Sequence, residues 1–124
     1  MPKAKIGDIE LYYEEHGRGI PLVMILGLGQ DIATWGFQIP ELSNHFRVVV
    51  LDNRDAGRSS RCSEDYTTEA MAGDVIGLLD HLGIRQAHVL GTSLGGMIAQ
   101  QVALMAPEKV LSLILASTTA SGKD

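Results

Sequence analysis

A serine flanked by glycines is the strongest chemical signal in the amino-acid sequence. The segment Gly91-Thr92-Ser93-Leu94-Gly95-Gly96 follows a short apolar run and precedes a helical pattern. A serine on such a tight strand-to-helix turn takes a strained backbone conformation, so the positions two before and two after it must have almost no side chain. Gly91 and Gly95 meet that need. Ser93 is therefore a candidate nucleophile for attack on a carbonyl group.

A simpler interpretation of the same segment is a serine that only caps an ordinary helix. Against it, Gly95 and Gly96 both fall in the first helical turn, where each costs about 1 kcal/mol relative to alanine. Two such residues indicate that another part of the backbone comes close. The free N–H groups and the dipole of the helix N-terminus would also stabilise an anion there. We therefore favour the nucleophile over the cap.

A serine nucleophile needs a general base and an acid that orients the base. The sequence has no histidine after Ser93, and the only acids there are Glu108 and Asp124. Three other acids are predicted at the edge of the sheet where Ser93 lies, namely Asp31, Asp52 and Asp55. Without a histidine these acids cannot complete a catalytic set.

The four histidines are predicted to lie away from the nucleophile. His16, His45 and His81 each precede a predicted strand, which places them at the edge of the sheet opposite Ser93. His88 precedes Ser93 in the same strand, about 16 Å away at the usual rise per residue. None of the four histidines is therefore predicted to act as the base for Ser93.

The elements that must position Ser93 alternate along the chain. A hairpin is predicted at residues 4–6 and 9–14, around the turn Gly7-Asp8. Apolar runs typical of strands buried on both faces follow at residues 21–26, 47–51, 87–90 and 110–116. Helical patterns lie between them at residues 34–43, 67–82 and about 93–106, and the second has Thr67 as a cap and Gly83 as a stop. This order predicts an α/β fold with a mostly parallel sheet and helices on both faces.

Length and composition limit the class of protein. The 124 residues suffice for one domain, and the hydrophobic content of 45% fits a packed core. A net charge of -5, spread along the chain, argues against a nucleic-acid or anionic-membrane partner. No group of histidines, cysteines and acids has metal-ligand spacing, so neither a metal nor a cofactor is predicted. The single cysteine, Cys62, and the absence of a long apolar run predict a cytoplasmic protein.

Together these features resemble the N-terminal portion of an α/β-hydrolase. The resemblance is to the small cap-bearing ester and lactone hydrolases, such as oxoadipate enol-lactone hydrolases and aclacinomycin methylesterases, and it extends over essentially the whole sequence. The opening hairpin, the loop after the third strand, an arginine-glycine turn after the fourth and the G-x-S-x-G turn occur in the family's order. In the family, later strands bear the acid and the histidine. Residues 1–124 therefore resemble a single, partial domain that lacks those strands.

The resemblance gives the loop Leu26-Gly27-Leu28-Gly29-Gln30 a role. By position, the backbone N–H of Leu28 would form an oxyanion hole with the N–H of Leu94. Leu26 stands where family members usually have a histidine that braces this loop. A dinucleotide-binding fingerprint is the alternative for Gly27-Leu28-Gly29, but its third glycine would fall at Ile32, so the pattern fails.

The turn Asp52-Asn53-Arg54-Asp55-Ala56-Gly57-Arg58-Ser59 resembles the family's D-x-R-G-x-G-x-S pattern, with Asp55 in place of the first glycine. One interpretation is a functional loop beside the substrate pocket. The other, which we favour, is a structural turn in which Asp52 and Arg54 bond neighbouring backbone.

The first hypothesis is a serine hydrolase acting on a small-molecule carboxylic ester, lactone or related acyl bond, with Ser93 as nucleophile. Its base and acid would come from the C-terminal segment, so the 124 residues alone are expected to be inactive. The alternative is a non-catalytic fragment or binding module that keeps the turn as a scaffold, and a third option is an acyl-transferring or perhydrolase-like variant. The resemblance places further strands beyond Val110–Ala116. Without them this apolar run would be a bare sheet edge, which we expect the missing half or a second copy of the chain to cover.

Overall fold

The computed structural model describes residues 3–27, 32–62 and 66–119. Six strands lie within these residues: β1 (Lys3–Ile6), β2 (Ile9–His16), β3 (Pro21–Ile25), β4 (Arg47–Leu51), β5 (Ala87–Thr92) and β6 (Val110–Ala116). The α-helices are α1 (Gln38–Leu42), α2 (Thr68–His81) and α3 (Leu94–Met105), and short 3-10 turns lie at Ile32–Trp35 and Pro107–Lys109.

The described strands form one sheet in the order β1-β2-β4-β3-β5-β6. β2 is antiparallel to both β1 and β4, whereas the β4–β3, β3–β5 and β5–β6 pairs are parallel. The carboxyl ends of β3 to β6 therefore meet at one edge, which we call the carboxyl edge. The predicted mostly parallel sheet is confirmed.

Helices cover both faces of the sheet, as predicted, but unequally. On one face, α2 and α3 pack on a core that includes Val23, Ile25, Val49 and Val89. On the other face, the first 3-10 turn and α1 pack Ile32 and Ile39 against side chains of β2, β3 and β4. The described residues of this second cluster include side chains of β2, β3, β4 and β5, and none of β6.

The apolar runs of β5 and β6 were expected to be buried on both faces, and this expectation is wrong. In β5 the residues alternate between buried and half-buried. In β6 the side chains of Leu111, Leu113, Ile114 and Leu115 are 37–44% exposed. The reason is position, because β6 is the last described strand of the sheet and has a partner on one side only.

The helix predicted at residues 34–43 is interrupted. A 3-10 turn ends at Trp35 and α1 begins at Gln38, with Gly36 between them. The N–H of Gly36 donates to the carbonyl of Ala33 at 3.2 Å, which closes the 3-10 turn rather than an α-helical one.

The predicted limits of α2 are confirmed within one residue. The side chain of Thr67 accepts a hydrogen bond from the N–H of Ala70 at 3.1 Å, so it caps the helix. Gly83 follows the helix with a φ of 71°, a conformation that favours glycine. Among the described residues, no helix is both long enough and apolar enough to cross a membrane.

Candidate active site

Ser93 lies on a strained turn between β5 and α3. Its φ is 54° and its ψ is -123°, a backbone conformation that residues with a side chain rarely adopt. The side chain is exposed and makes no capping hydrogen bond to the helix it precedes. The backbone is fixed instead, because the Ser93 N–H donates to the carbonyl of Ala116 at 3.1 Å. The turn therefore presents an exposed hydroxyl at the carboxyl edge.

The glycines around Ser93 are required by close backbone contacts. A Cβ at Gly91 would overlap the carbonyl of Gly95, and a Cβ at Gly95 would overlap the carbonyl of Ile25 in β3. A Cβ at Gly96 would overlap the side chain of Thr118. The close approach that the two helical glycines indicated is therefore present, with the backbone of β3 at Gly95 and with the side chain of Thr118 at Gly96.

A cavity of about 570 Å³ adjoins Ser93. Its lining consists of Ser93, Leu94, Met97, Ser117, Thr118 and Thr119. The Thr118 hydroxyl donates to the carbonyl of Ser93 at 2.6 Å, which adds a second contact to the turn from the segment after β6. Leu94 is the first residue of α3, so its N–H has no acceptor within the helix.

The second predicted oxyanion donor, Leu28, lies outside the described residues, as does Asp31. The residues on either side of this loop are held by the turn after β4. The Asn53 amide nitrogen donates to the carbonyl of Leu26 at 3.0 Å, and the Asp52 carboxylate accepts the N–H of Ile32 at 2.9 Å. Sequence reasoning missed the Asn53 contact.

The turn after β4 was interpreted as structural, with Asp52 and Arg54 bonding neighbouring backbone. Asp52 does so, since its second carboxylate oxygen accepts the N–H of Arg58 at 3.0 Å. Arg54 does not. Its Nε and Nη2 donate to the two carboxylate oxygens of Asp74 in α2, both at 2.7 Å. These hydrogen bonds raise the pKa of Arg54, and the pair ties the turn to α2.

Asp55 occupies the place of the family's first glycine and keeps a positive φ of 67°. Aspartate tolerates this conformation better than most residues with a side chain. Its carboxylate accepts the N–H of Cys62 at 2.5 Å, and this bond, with a further one from Tyr66, holds the pKa of Asp55 below its ordinary value. The same bond to Asp55 raises the pKa of Tyr66.

The four histidines lie next to residues other than Ser93. His88 in β5 lies 2.7 Å from the hydroxyl of Ser112, and the ring of His81 contacts Tyr13 edge-on. His16 contacts Glu14, and His45 is exposed in the turn before β4. Among the described residues, none of these contacts brings an imidazole to Ser93.

A chain of polar side chains on β2 was not predicted. Tyr12, Glu14 and His16 alternate along the strand and so share one face. The Tyr12 hydroxyl and the His16 Nε2 lie 2.6 and 2.8 Å from the two carboxylate oxygens of Glu14. Burial alone would raise the pKa of Glu14, but these bonds outweigh it and the pKa is lowered. The bond to Glu14 raises the pKa of Tyr12.

These three residues form one wall of a second cavity, of about 490 Å³, whose other wall includes Ile32, Ile39 and Pro40. In the sequence, Tyr12, Glu14 and His16 are spaced two residues apart, and this spacing could have predicted that their side chains share one face of a strand. Among the described residues, no group of three or more histidines, cysteines and acids is arranged to hold a metal ion.

Comparison with known proteins places this geometry in a family. The chain is 40% identical over 115 residues to the candidate carbamate hydrolase RutD of Azorhizobium caulinodans. The aligned region covers 93% of this chain and 43% of that protein. A thermophilic esterase from Thermogutta terrifontis superposes with a TM-score of 0.95 at 35% identity, over 100% of this chain and 48% of the esterase. The enol-lactonase of Burkholderia xenovorans LB400 superposes with a TM-score of 0.92 at 34% identity, over 96% of this chain and 47% of the lactonase.

The chain therefore spans less than half the length of each of these three proteins. The family model that matches residues 20–123 describes the α/β-hydrolase fold. The matched residues include β3 to β6, the turn after β4 and the segment around Ser93. With the sheet order and the strained serine turn described above, this match shows that the chain belongs to the α/β-hydrolase fold family.

Proposed function

We propose that this chain supplies the nucleophile and the oxyanion hole of a serine hydrolase acting on a carboxylic ester, lactone or related acyl bond. The observation that supports this function best is the backbone of Ser93, at φ 54° and ψ -123°. The conformation is strained, the hydroxyl caps nothing, and the side chain is exposed beside a cavity. Strain of this kind persists where function requires it.

The reaction follows from that placement. A base removes the hydroxyl proton while Ser93 Oγ attacks the carbonyl carbon, and the carbonyl oxygen takes up the electron pair. The N–H groups of Leu94 and Leu28 donate to this oxyanion. The tetrahedral intermediate then expels the alcohol, which takes the proton from the base, and leaves an acyl group on Ser93. Water, activated by the same base, releases the acid and restores the serine.

The base and its orienting acid are proposed to lie in a segment C-terminal to this sequence. All four histidines have other surroundings, as described above. The three proteins compared are more than twice as long as the part that this chain matches. The exposed strand β6 is next to the serine turn, because Ala116 accepts the Ser93 N–H. We propose that the same segment, or a second copy of the chain, pairs with this strand.

The experiment is labelling of the complete polypeptide containing this sequence with a fluorophosphonate, followed by identification of the modified residue. We expect modification at Ser93 and its loss in Ser93→Ala. Ser112→Ala is the matched control, because the Ser112 hydroxyl lies 2.7 Å from His88 but belongs to strand β6 and not to the strained turn. This control variant should be labelled at the wild-type rate.

The 124-residue chain alone should react far more slowly than the complete polypeptide, since the base would be missing. A complete, folded polypeptide that is not modified, or a Ser93→Ala variant that still is, would contradict the assignment. A folded polypeptide that neither reacts nor hydrolyses small aryl esters would instead support the binding-module alternative. A cytoplasmic location stays a prediction from the sequence.

A further inference from the structure

The carbonyl oxygen of Ser93 accepts two hydrogen bonds on the strained turn. The N–H of Gly96, in the first turn of α3, donates to it at 2.9 Å. The hydroxyl of Thr118, from the segment after β6, donates to it at 2.6 Å. The first bond is local, whereas the second joins residues 25 positions apart in the sequence. The direction of this carbonyl is therefore fixed by two separate elements.

The same carbonyl belongs to the peptide unit that contains the N–H of Leu94. This unit is trans, and in a planar trans peptide the C=O and the N–H point to opposite sides. A hydrogen bond that fixes the Ser93 carbonyl therefore also fixes the Leu94 N–H, which points away from Thr118. Because hydrogen bonds in a chain polarise one another, the bond from Thr118 also makes this N–H a stronger donor.

A second strained residue directs Thr118 to the serine turn. Ser117 follows β6 with a positive φ of 52°, close to the 54° of Ser93. Residues with a side chain rarely adopt this conformation, and it persists where the surrounding structure holds it. Here it turns the chain directly after Ala116, whose carbonyl accepts the Ser93 N–H at 3.1 Å. Thr118 therefore follows the strand at the turn that bears the nucleophile.

Packing and a further hydrogen bond hold Thr118 in place. A Cβ at Gly96 would overlap the Cβ, Cγ2 and Oγ1 atoms of Thr118, so this side chain lies directly on the backbone of α3. Gln100, one turn later in α3, donates from its amide nitrogen to the carbonyl of Thr119 at 2.9 Å. The position from which the Thr118 hydroxyl donates is thus set by contacts other than its own hydrogen bond.

We propose that Thr118 is a positioning residue for the Leu94 N–H as an oxyanion donor. Its hydroxyl fixes the plane of the Ser93–Leu94 peptide and thereby sets the direction in which this N–H is presented to the oxyanion. The inference rests on the proposed function, because it concerns a donor used in that reaction. Loss of the hydroxyl should affect the transition state more than substrate binding, since the oxyanion exists only there.

The test compares Thr118→Val with the wild-type complete polypeptide, using an aryl ester as substrate. Valine has the shape of threonine without the hydroxyl, and the Ser93 carbonyl keeps its bond from Gly96, so the variant should fold. Removing an oxyanion donor outright lowers kcat roughly 10²- to 10³-fold. Misdirecting one should lower kcat less, about 10-fold, with KM within about threefold. The affinity for an aryl boronic acid, which forms a tetrahedral adduct on the serine, should fall by a similar factor.

Thr118→Ser is the conservative variant, because it keeps the hydroxyl and removes only the methyl group. Its kcat and its boronate affinity should lie within about twofold of the wild type. Ser112→Ala is the matched control, because it removes a hydroxyl of β6 that contacts His88 and not the serine turn. This variant should also keep kcat and boronate affinity.

Each result has one meaning. If the wild type reacts through Ser93 and Thr118→Val is folded with kcat within about twofold of the wild type, the inference is wrong while the proposed function stands. If Thr118→Ser loses as much kcat as Thr118→Val, or if Thr118→Val changes KM as much as kcat, the side chain acts by packing or by contact with the substrate. The inference is then also wrong, as it is if Thr118→Val does not fold. If the wild type does not react through Ser93, the proposed function fails, and the inference fails with it.

Discussion

β4 and β6 are both parallel strands with apolar sequences, but they lie at different places in the sheet. β4 pairs with β2 and β3, and its residues Val48 to Leu51 are fully buried under helices on both faces. Among the described strands, β6 pairs with β5 alone, and its side chains Leu111, Leu113, Ile114 and Leu115 are 37–44% exposed. The difference teaches that an apolar run predicts what a strand could bury, whereas its neighbours decide what it does bury.

The largest expected difference between the surroundings of these two strands concerns two ion pairs made by one helix. Asp74 and Asp80 both lie in α2. Asp74 pairs with Arg54 beside β4, and the side chains are 9% exposed for Asp74 and 16% for Arg54. Asp80 pairs with Lys109 beside β6, and its side chain is 61% exposed. Removing one partner of a buried pair leaves a buried charge, so Asp74→Ala should cost about 3–5 kcal/mol of unfolding free energy.

Asp80→Ala should cost less than about 1 kcal/mol, because an exposed pair contributes little. Urea unfolding of the two variants measures both costs. Equal costs would mean that the burial of the Arg54 pair is not what stabilises the turn after β4.

A smaller difference is expected for two leucines. Leu51 in β4 is fully buried and Leu113 in β6 is 37% exposed. Leu51→Ala should cost about 2–5 kcal/mol, from lost burial and the cavity left behind, and Leu113→Ala less than half as much in the 124-residue chain. In the complete polypeptide the Leu113 cost should rise if a further segment covers β6. Urea unfolding of Leu113→Ala in the 124-residue chain and in the complete polypeptide measures the two costs. Equal costs would contradict the proposal that a further segment covers β6.

The smallest difference compares the first turns of two helices. Thr67 caps α2 through its side chain, whereas Ser93 precedes α3 without a capping bond. Thr67→Ala should therefore cost about 1 kcal/mol, and Ser93→Ala less than about 0.5 kcal/mol. The same unfolding measurement tests both. A Ser93→Ala cost as large as that of Thr67→Ala would mean that the serine is a helix cap after all.

Most of the fold was predictable because its signals are local. The bounds of β4 and β6 agree with the predicted ones, since apolar runs with polar neighbours define them. β5 extends through Thr92, two residues beyond its prediction, because the glycine that permits the turn remains in the strand. The exposure of β6 was not predictable from its apolar residues alone. It was predicted from the resemblance, which places further strands beyond Val110–Ala116, and β6 is the last of the described strands in the sheet.

The site was predictable where backbone conformation demands particular residues. The spacing of Gly91 and Gly95 around Ser93 indicated the strained turn that the structure has. The pairing of Arg54 with Asp74, and of Asn53 with Leu26, was not predictable. Each joins residues 20 or more positions apart, and several other polar side chains of the same turn were equally plausible partners from sequence alone.

The contact of Gly95 with β3 has a consequence for how the serine tolerates change elsewhere. Because backbone touches backbone at this point, the separation of α3 from β3 is limited by atomic radii and not by the side chains that fill the core. Smaller core side chains can therefore lower stability without bringing Ser93 any closer to β3. The lower limit on the distance between the serine turn and β3 is set by backbone atoms, so it stays the same whichever apolar side chains fill the core.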